Sequence, residues 1–400
     1  MSIIVQKYGG SSVGTPEKIK NVAKTVVNRV KNGDSLVVVV SAMGDTTDDL
    51  IALSKKITDT PDKRELDALL STGEMVSCAL LAMAIKDLGC DAVSYTAYQI
   101  GIKTSGQYGK SLIYDINGEK IKESLDKGKV VIAAGFQGIN DKGDITTLGR
   151  GGSDTSAVAI AVKLKGTCEI YTDVDGIYSV DPRKYKDAKK LYEIDYEEML
   201  ELSSLGAQVM HSRSIELAQK YNIPVYVGLS NSDIRGTVIK EVDNMNLESK
   251  PVTGLATSDE DAAITVTNIN NDINVIANLF EKIAEKRVNV DMISQTAPIK
   301  GKVNISFTIP KVDLKECLNI LKSYFSEETK VDIDENITKF SIVGIGMKTT
   351  SGVVAKMLKL FKENNIGVKM ITTSEIRITC AIKQEDKMKT INVVAKEFNL

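Results

Sequence analysis

Leu36 to Val40 reads LVVVV, five apolar residues without polar alternation. A strand with one wet face alternates. A uniform β-branched run suits a strand covered on both faces, as in parallel sheets sandwiched by helices. The preceding residues supply the rest of such a unit. Ile3, Ile4 and Val5 open a first strand, and Thr15 with Pro16 forms an N-cap and first-turn pair. Ile19, Val22, Ala23, Val26, Val27 and Val30 then recur at helical spacing until Gly33. The chain therefore begins as a β-α-β unit. Further on, the pattern predicts a helix from about Glu65 to Leu88, a short strand near Ala92 to Tyr98 and a strand over Val130 to Ala134. A loop or short hairpin over Phe136 to Leu148, an apolar helix after GRGGSD and a strand over Cys168 to Thr172 follow.

Between the first strand and helix lies VQKYGGSSV, Val5 to Val13. Lys7 can place a point charge on a phosphate, Gly9 and Gly10 let bare backbone N–H groups approach it, and Ser11 and Ser12 add donors. The spacing is neither the Walker pattern nor G-x-G-x-x-G. Taken alone, a tight turn beside an exposed lysine reads equally well.

The 51 basic and 53 acidic residues give a net charge of -2, and there is no Trp. That is not the basic, aromatic surface of a nucleic-acid binder, so a small-molecule partner is expected. The five cysteines are scattered without metal or disulfide spacing and are expected to be reduced and buried. No basic-then-apolar leader and no unbroken apolar run of about 18 residues is found. The expectation is a cytoplasmic chain with no membrane partner.

Other constellations keep two readings. GRGGSD, Gly149 to Asp154, sets Arg150 among glycines before a helix start. Arg150 has the fork that grips a carboxylate or phosphate, while Ser153 or Asp154 can cap the helix. Glu74, amid small and apolar residues, is either a solvated helix face or the anion for an ammonium-bearing substrate. Ser41 and Thr47 lie in SAMGDTTDDL after the second strand, as turn residues or as ligand contacts at a strand's carboxyl end. Asp173 and Asp175 in YTDVDG lack the later ligands of an EF-hand loop, which favours a nucleotide-edge loop. His211 is the only histidine, and a single imidazole with no partner motif is more often structural than catalytic, so no persuasive Ser-His-Asp or Cys-His machinery is assembled.

Past about Lys240 the polar stretch EVDNMNLESKP reads as a linker, and the remainder repeats itself. VNVDMIS aligns with IGVKMIT, Met292 falling on Met370, and the same spacing lays Ile264 on Ile342 and Asn274 on Gly352. The first copy has the β-α-β-β-α-β order of a ferredoxin-like unit. The second lacks its last strand, and an open sheet edge calls for a partner. Val252 to Thr257 is the spare strand. The expected division is a catalytic domain at 1–240, a linker at 241–251, a first repeat at 259–336, and a second made of 252–258 plus 337–400 into which the first is inserted.

VQKYGGSSV, VVSAMGDTTDDL, TLGRGGSDTSAVAIA and YTDVDGIYSVDPR, in this order and followed by two similar small units, closely resemble aspartokinase over essentially the whole chain. The resemblance implies an amino-acid-kinase-like α/β fold, a three-layer α/β/α sandwich on a mainly parallel sheet, with two ferredoxin-like ACT units. It implies phosphorylation of the β-carboxylate of L-aspartate by ATP with Mg2+, giving 4-phospho-L-aspartate, the entry to lysine, threonine and methionine. No side chain is expected as a direct metal ligand, and no fused homoserine dehydrogenase is expected. By the family's pattern Lys7 neutralises the transferring phosphoryl, Asp154 orients Lys7 or the metal, and Gly9, Gly10 and Ser11 shape the cradle. Arg150 would hold the substrate's α-carboxylate and Glu74 its ammonium, with Ser41, Thr47, Gly151, Gly152 and Ser153 lining the same pocket. Thr172, Asp173, Tyr178 and Arg183 match the nucleotide side.

The resemblance also implies a homodimer or larger homo-oligomer joined through ACT units, with lysine, alone or with threonine, bound between them. Asn271, Asp272, Asn274, Gln295, Ser374 and Glu375 are the candidate effector residues, and they read equally well as turn formers. Two departures stand out. Gln208 occupies a position where many relatives carry a nucleotide-side lysine, and Ile273-Asn274 and Ser351-Gly352 replace the Pro-Gly pair usual in ACT ligand loops. Some relatives also make the tail as a separate small subunit, and Met245 lies near a plausible start. Two rivals remain: a kinase of the same fold for another carboxylate or phosphate acceptor, and a catalytically silent amino-acid sensor.

Overall fold

The valine run is wholly buried on both faces, and the first of two units is built around it. The computed structural model describes residues 3–206, 209–242, 250–325 and 329–400. Gln208, Met245 and most of the expected linker lie outside the described residues. The first unit comprises Met1–Ile177, Lys190–Ser203 and Gln208–Asp243, the second Tyr178–Lys189, Ser204–Ala207 and Asn244–Leu400.

The main sheet of the first unit contains β1 (Ile3–Tyr8), β2 (Ser35–Val40), β3 (Ala92–Tyr95), β4 (Val130–Ala134), β5 (Thr167–Thr172), β6 (Glu193–Ile194), β7 (Val225–Leu229) and β8 (Thr237–Ile239). Their order is β6-β8-β7-β5-β1-β2-β4-β3, and every neighbouring pair is parallel except β7 with β8. On one face α1 (Pro16–Lys31) and α4 (Thr72–Asp87) bring Ile19, Val22, Val26, Leu81 and Ile85 onto Tyr8, Leu36, Val38, Val40 and Ile132. The Thr15 side chain caps α1 by accepting from the Lys18 amide. On the other face α6 (Gly152–Leu164) lies along β1, β2 and β5, and its alanines 157, 159 and 161 let it approach closely. The strand order reverses between β1, which leads to β2, and β5, which leads to β7. Open α/β sheets form their ligand crevice beyond the carboxyl ends of strands at such a point.

Two local expectations change, and a third is met. SAMGDTTDDL is half helix, because α2 (Thr46–Ile57) begins inside it. The helix expected from Glu65 starts at Lys63 and is divided at Ser71 into α3 (Lys63–Leu70) and α4. This combined stretch, Lys63–Asp87, is also long and apolar enough to cross a membrane by length and composition, with a mean hydropathy of 1.7 and half of that window buried in the fold. Its longest unbroken apolar run is CALLAMAI, residues 78–85, well short of the roughly 18 residues of a membrane span. The hairpin within Phe136 to Leu148 consists of Gln137–Ile139 and Ile145–Thr147.

In the second unit β9 (Gly254–Ser258), β10 (Asp261–Asn270), β11 (Asp291–Gln295), β12 (Lys302–Pro310), β13 (Val331–Asp334), β14 (Ile337–Val343), β15 (Val368–Thr373) and β16 (Arg377–Lys383) form two antiparallel sheets. Their orders are β11-β12-β10-β13 and β15-β16-β14-β9. The strand β9, which precedes the first repeat, thus holds in the second sheet the place that β13 holds in the first. Helices α9 (Ile273–Glu285) and α10 (Leu314–Tyr324) close one core, and α11 (Val353–Glu363) and α12 (Lys387–Glu397) the other.

The two sheets share a smaller cluster of Ala263, Met292, Ile337, Met370 and Ala381, in which the equivalent methionines meet. Lys339, 8% exposed, lies 3.0 Å from both Asp261 and Asp291 across this contact. Burial would raise the Asp291 carboxyl, but the neighbouring Lys339 overrides that and holds it below its ordinary value. Lys339→Ala strands these carboxylates without their cation. It is expected to cost about 3 kcal/mol, read as a lower urea midpoint by circular dichroism; an unchanged midpoint would refute the bridge.

Candidate active site

Lys7 leaves the penultimate position of β1 toward α6, and its Nζ lies 2.7 Å from Asp154 Oδ1 in that helix's first turn. Both side chains are nearly buried, at 12% and 10% exposed. The helix opens on Gly151 without a side-chain cap; its Gly152 amide donates to the Gly149 carbonyl, and the positive end of the helix faces the Lys7–Asp154 pair. Beyond β1, Gly9 to Ser12 make a tight 3-10 turn. A Cβ on Gly10 would stand 2.8 Å from the Ala42 carbonyl oxygen, so only glycine lets the loops after β1 and β2 touch there. The Gly44 amide donates to the Gly10 carbonyl and stitches them together. Ser11 is exposed; it is Ser12 that is buried, its hydroxyl bonded to that of Ser230.

Glu74 lies in the first turn of α4 and is 3% exposed. Its Oε1 accepts from the Ala42 amide at 3.1 Å, and its Oε2 has no partner. Burial pushes the carboxyl up to about 7, against the lowering effect of the Glu74 and Ala42 amides. An unsatisfied buried carboxylate oxygen is costly, so this position suits a cation from outside. Ser41 and Thr47 flank the same loop and are half-buried.

Ser153 lies over Gly135 at the end of β4, where a Cβ would stand 2.9 Å from its hydroxyl oxygen. Gly151, in the left-handed region with φ 65°, passes so close to His211 that a Cβ there would lie 2.1 Å from the His211 Cβ. His211 itself caps α8 (Ser212–Lys220) by accepting from the Arg213 amide. Arg150 is exposed and makes no ion pair among the described residues. Thr172 and Asp173 end β5 beside β1, with the threonine hydroxyl donating to the aspartate at 2.9 Å.

The remaining nucleotide-side expectations separate from these. Tyr178 and Arg183 belong to Tyr178–Lys189, which clusters with the second unit, and the Arg183 guanidinium forks onto Asp181. Among the effector candidates Asp272 caps α9, accepting from both nitrogens of Asn274, and the Asn271 amide donates to the Gly301 carbonyl. Gln295 ends β11, while Ser374 closes the β15–β16 turn and Glu375 reaches toward Lys348.

Two families match successive parts of the chain. The amino acid kinase family covers residues 2–228 and the ACT domain covers 264–325 and 340–398. The aspartokinase of Bacillus sp. (strain MGA3) is 45% identical over 100% of this chain and 98% of its own. This chain belongs to the aspartokinase family. Aspartokinase 2 of Bacillus subtilis (strain 168) is 43% identical over the same shares. Among solved structures, E. coli aspartokinase III in complex with aspartate and ADP superposes with a TM-score of 0.81 at 22% identity, covering 98% of this chain and 99% of that one. Clostridium acetobutylicum aspartate kinase gives 0.80 at 22%, covering 99% and 100%. These two establish the fold, an amino-acid-kinase sandwich with ACT units.

The sequence reading passed over a third strand-end loop in this aspartokinase, GFQG after β4. Gly135 donates to the Val40 carbonyl, and Phe136 adopts a positive φ of 67° while its carbonyl accepts from the Leu148 amide. Its signal was a glycine directly after a buried strand, the feature that marks Gly9. Gly151→Ala adds strain of about 1–3 kcal/mol and a collision with His211. It is expected to lower kcat/KM for aspartate at least about tenfold in steady-state assays, and unaltered kinetics would refute the need for this turn.

Proposed function

We infer that the chain carries out the activity of its family, ATP-dependent phosphorylation of aspartate, under regulation by amino acids. We propose that the reaction occurs beyond the carboxyl ends of β1, β2, β4 and β5, with ATP toward β5 and aspartate toward α4 and α6. The observation that carries this reading is the pairing of Lys7 with Asp154 on the strand next to the one whose loop holds one oxygen of Glu74 through the Ala42 amide and leaves the other open. Aspartate's β-carboxylate is ionised at neutral pH, so no general base is needed. One of its oxygens attacks the γ-phosphorus in line, and the bond to the β,γ-bridging oxygen breaks to release ADP. Lys7 follows the migrating charge, and Asp154 holds Lys7 in place beforehand. Phosphoryl transfer asks the protein mainly for such alignment and charge stabilisation.

Arg150 takes the α-carboxylate and Glu74 the ammonium; a substrate with an acylated amine would leave Glu74 unanswered. Thr172 and Asp173 face the nucleotide. Tyr178 and Arg183 remain proposed on the family's pattern alone. Mg2+ arrives with ATP and, when bound, neutralises phosphate charge. The ion is assigned to the phosphates and water rather than to protein side chains.

We assign the ACT units to 259–336 and to 252–258 with 337–400, an arrangement supported by the pairing of β9 with β14. E. coli aspartokinase III is known in complex with lysine and aspartate. By that likeness lysine, with or without threonine, acts through the loops at Asp272, Gln295 and Ser374. A cytoplasmic homo-oligomer joined through ACT units, serving lysine, threonine and methionine biosynthesis, completes the assignment. ATP-dependent hydroxamate formation with aspartate, with glutamate and with buffer alone, repeated with lysine and threonine, tests it; product with glutamate but not aspartate would overturn it.

Lys7→Ala is expected to lower kcat by about 10²–10³-fold while the KM for aspartate stays within about threefold. Wild-type turnover would refute its role. The pH profile gives an independent check on Glu74. With its carboxyl near 7 in the free enzyme, the aspartate-binding form is lost as pH falls, so kcat/KM for aspartate should decline below about pH 7. Glu74→Gln should remove that limb and raise KM; a profile that is the same in both proteins would exclude the assignment.

A further inference from the structure

Arg150 presents a question of aim. It is exposed, has no ion pair among the described residues, and sits between Gly149 and Gly151, both at positive φ. Nothing on its own side chain fixes its direction, so the backbone entering this turn must do so. That backbone is the strand Ile145–Thr147 followed by Leu148, and two charged side chains, one buried and one half-buried, hold it from different elements.

On one side is Asp67 of α3, 1% exposed. Its Oδ2 accepts from the Thr147 amide at 2.8 Å and the Gly109 amide at 2.9 Å, and its Oδ1 from the Thr147 hydroxyl at 2.7 Å. Every donor comes from outside its own helix. One turn earlier Arg64 reaches Asp144 at 2.8 Å, so α3 splints the hairpin at its tip and at its root. On the other side is Arg213 of α8. Its two Nη atoms donate at 2.7 Å to the Leu148 and Ser111 carbonyls, and no carboxylate lies within ion-pair distance of it among the described residues. The Ser111 amide in turn donates to the Thr147 carbonyl, and a Cβ on Gly149 would stand 2.9 Å from the Gly109 carbonyl oxygen. Amides, carbonyls and hydroxyl of residues 147 and 148 are therefore held immediately before the flexible turn begins.

We propose that Asp67 and Arg213 are positioning residues for aspartate binding, clamping residues 147 and 148 so that Arg150 is presented to the substrate's α-carboxylate. The proposal rests on the reading of Arg150 given above. A general packing role would disturb both substrates alike, whereas the clamp acts on one. Neither residue touches substrate.

The test is a steady-state comparison of the full-length enzyme with Asp67→Ala, Asp67→Asn, Thr147→Val, Arg213→Met, Arg150→Ala and the double variant Asp67→Ala/Arg150→Ala. Asp67→Ala and Arg213→Met are each expected to raise the aspartate KM about tenfold, the loss of a charged hydrogen bond, with the ATP KM within about twofold. Asp67→Asn should restore near-wild-type values, because the amide oxygen accepts both N–H groups and the Thr147 hydroxyl can turn to accept from the amide nitrogen. The double variant should bind aspartate no more weakly than Arg150→Ala alone, as for residues acting through one another. If Asp67→Ala and Arg150→Ala multiply, or if Asp67→Ala raises both KM values equally, the clamp is refuted while the reading of Arg150 stands. If Arg150→Ala leaves the aspartate KM unchanged, that reading fails and the proposal with it. Should Asp67→Ala fail to fold, Thr147→Val decides: a rise of about threefold in the aspartate KM supports the clamp, and an unchanged KM overturns it.

Discussion

An ammonium group kept nearly dry at the end of a buried strand requires a counter-charge, and the active-site architecture follows from meeting that requirement. Lys7 extends from β1, flanked by β2 and β5, where the neighbouring side chains are almost all apolar. Its charge is tolerated because Asp154 meets it from α6. For that meeting α6 must lie close over β1, which explains its run of small residues, and must start where the strand ends, which explains the glycines before it. The same geometry leaves the uncapped start of α6 beside the cation, so two sources of positive potential converge where a phosphoryl group would pass.

Glu74 is the complementary case. Its carboxylate is buried with one oxygen bonded and one open, a state that the folded chain alone gains nothing from. Local rules fail at such a residue, and sites that fail them are where function is expected. Lys7 on β1, and Glu74 held from a helix against the loop after the neighbouring β2, distinguish this sheet from an ordinary doubly wound one.

Much of this could be read in the residues. LVVVV dictated a two-sided strand, Lys7 with Gly9 and Gly10 marked the tight loop beyond β1, and the spacing of Met292 and Met370 exposed the repeat. What escaped reading depends on partners far apart in the chain. Asp67 sits in KRELDALL, an ordinary amphipathic segment, and nothing there hints that its acceptors serve Gly109 and Thr147. Arg213 and Phe136 escaped for the same reason. Glu74 could be read both ways because a helix sequence does not reveal which flank meets a loop; the orphaned oxygen is a tertiary fact. Tyr178 and Arg183 show the opposite hazard, since a motif continuous in sequence is divided between two units.

That division matters for any fragment. Residues 178–189 return the chain from the site strand β5 only after Val180 has been buried in the core of the second repeat, with Tyr185 and Ala188 packed on it. The Ser179 carbonyl accepts from the Leu255 amide, Lys184 donates to the Thr257 hydroxyl and Lys189 to the Asn399 carbonyl. A tail made by itself from near residue 250 would lack this plug. It would leave open the apolar seam beside β9 that Val180, Tyr185 and Ala188 now fill.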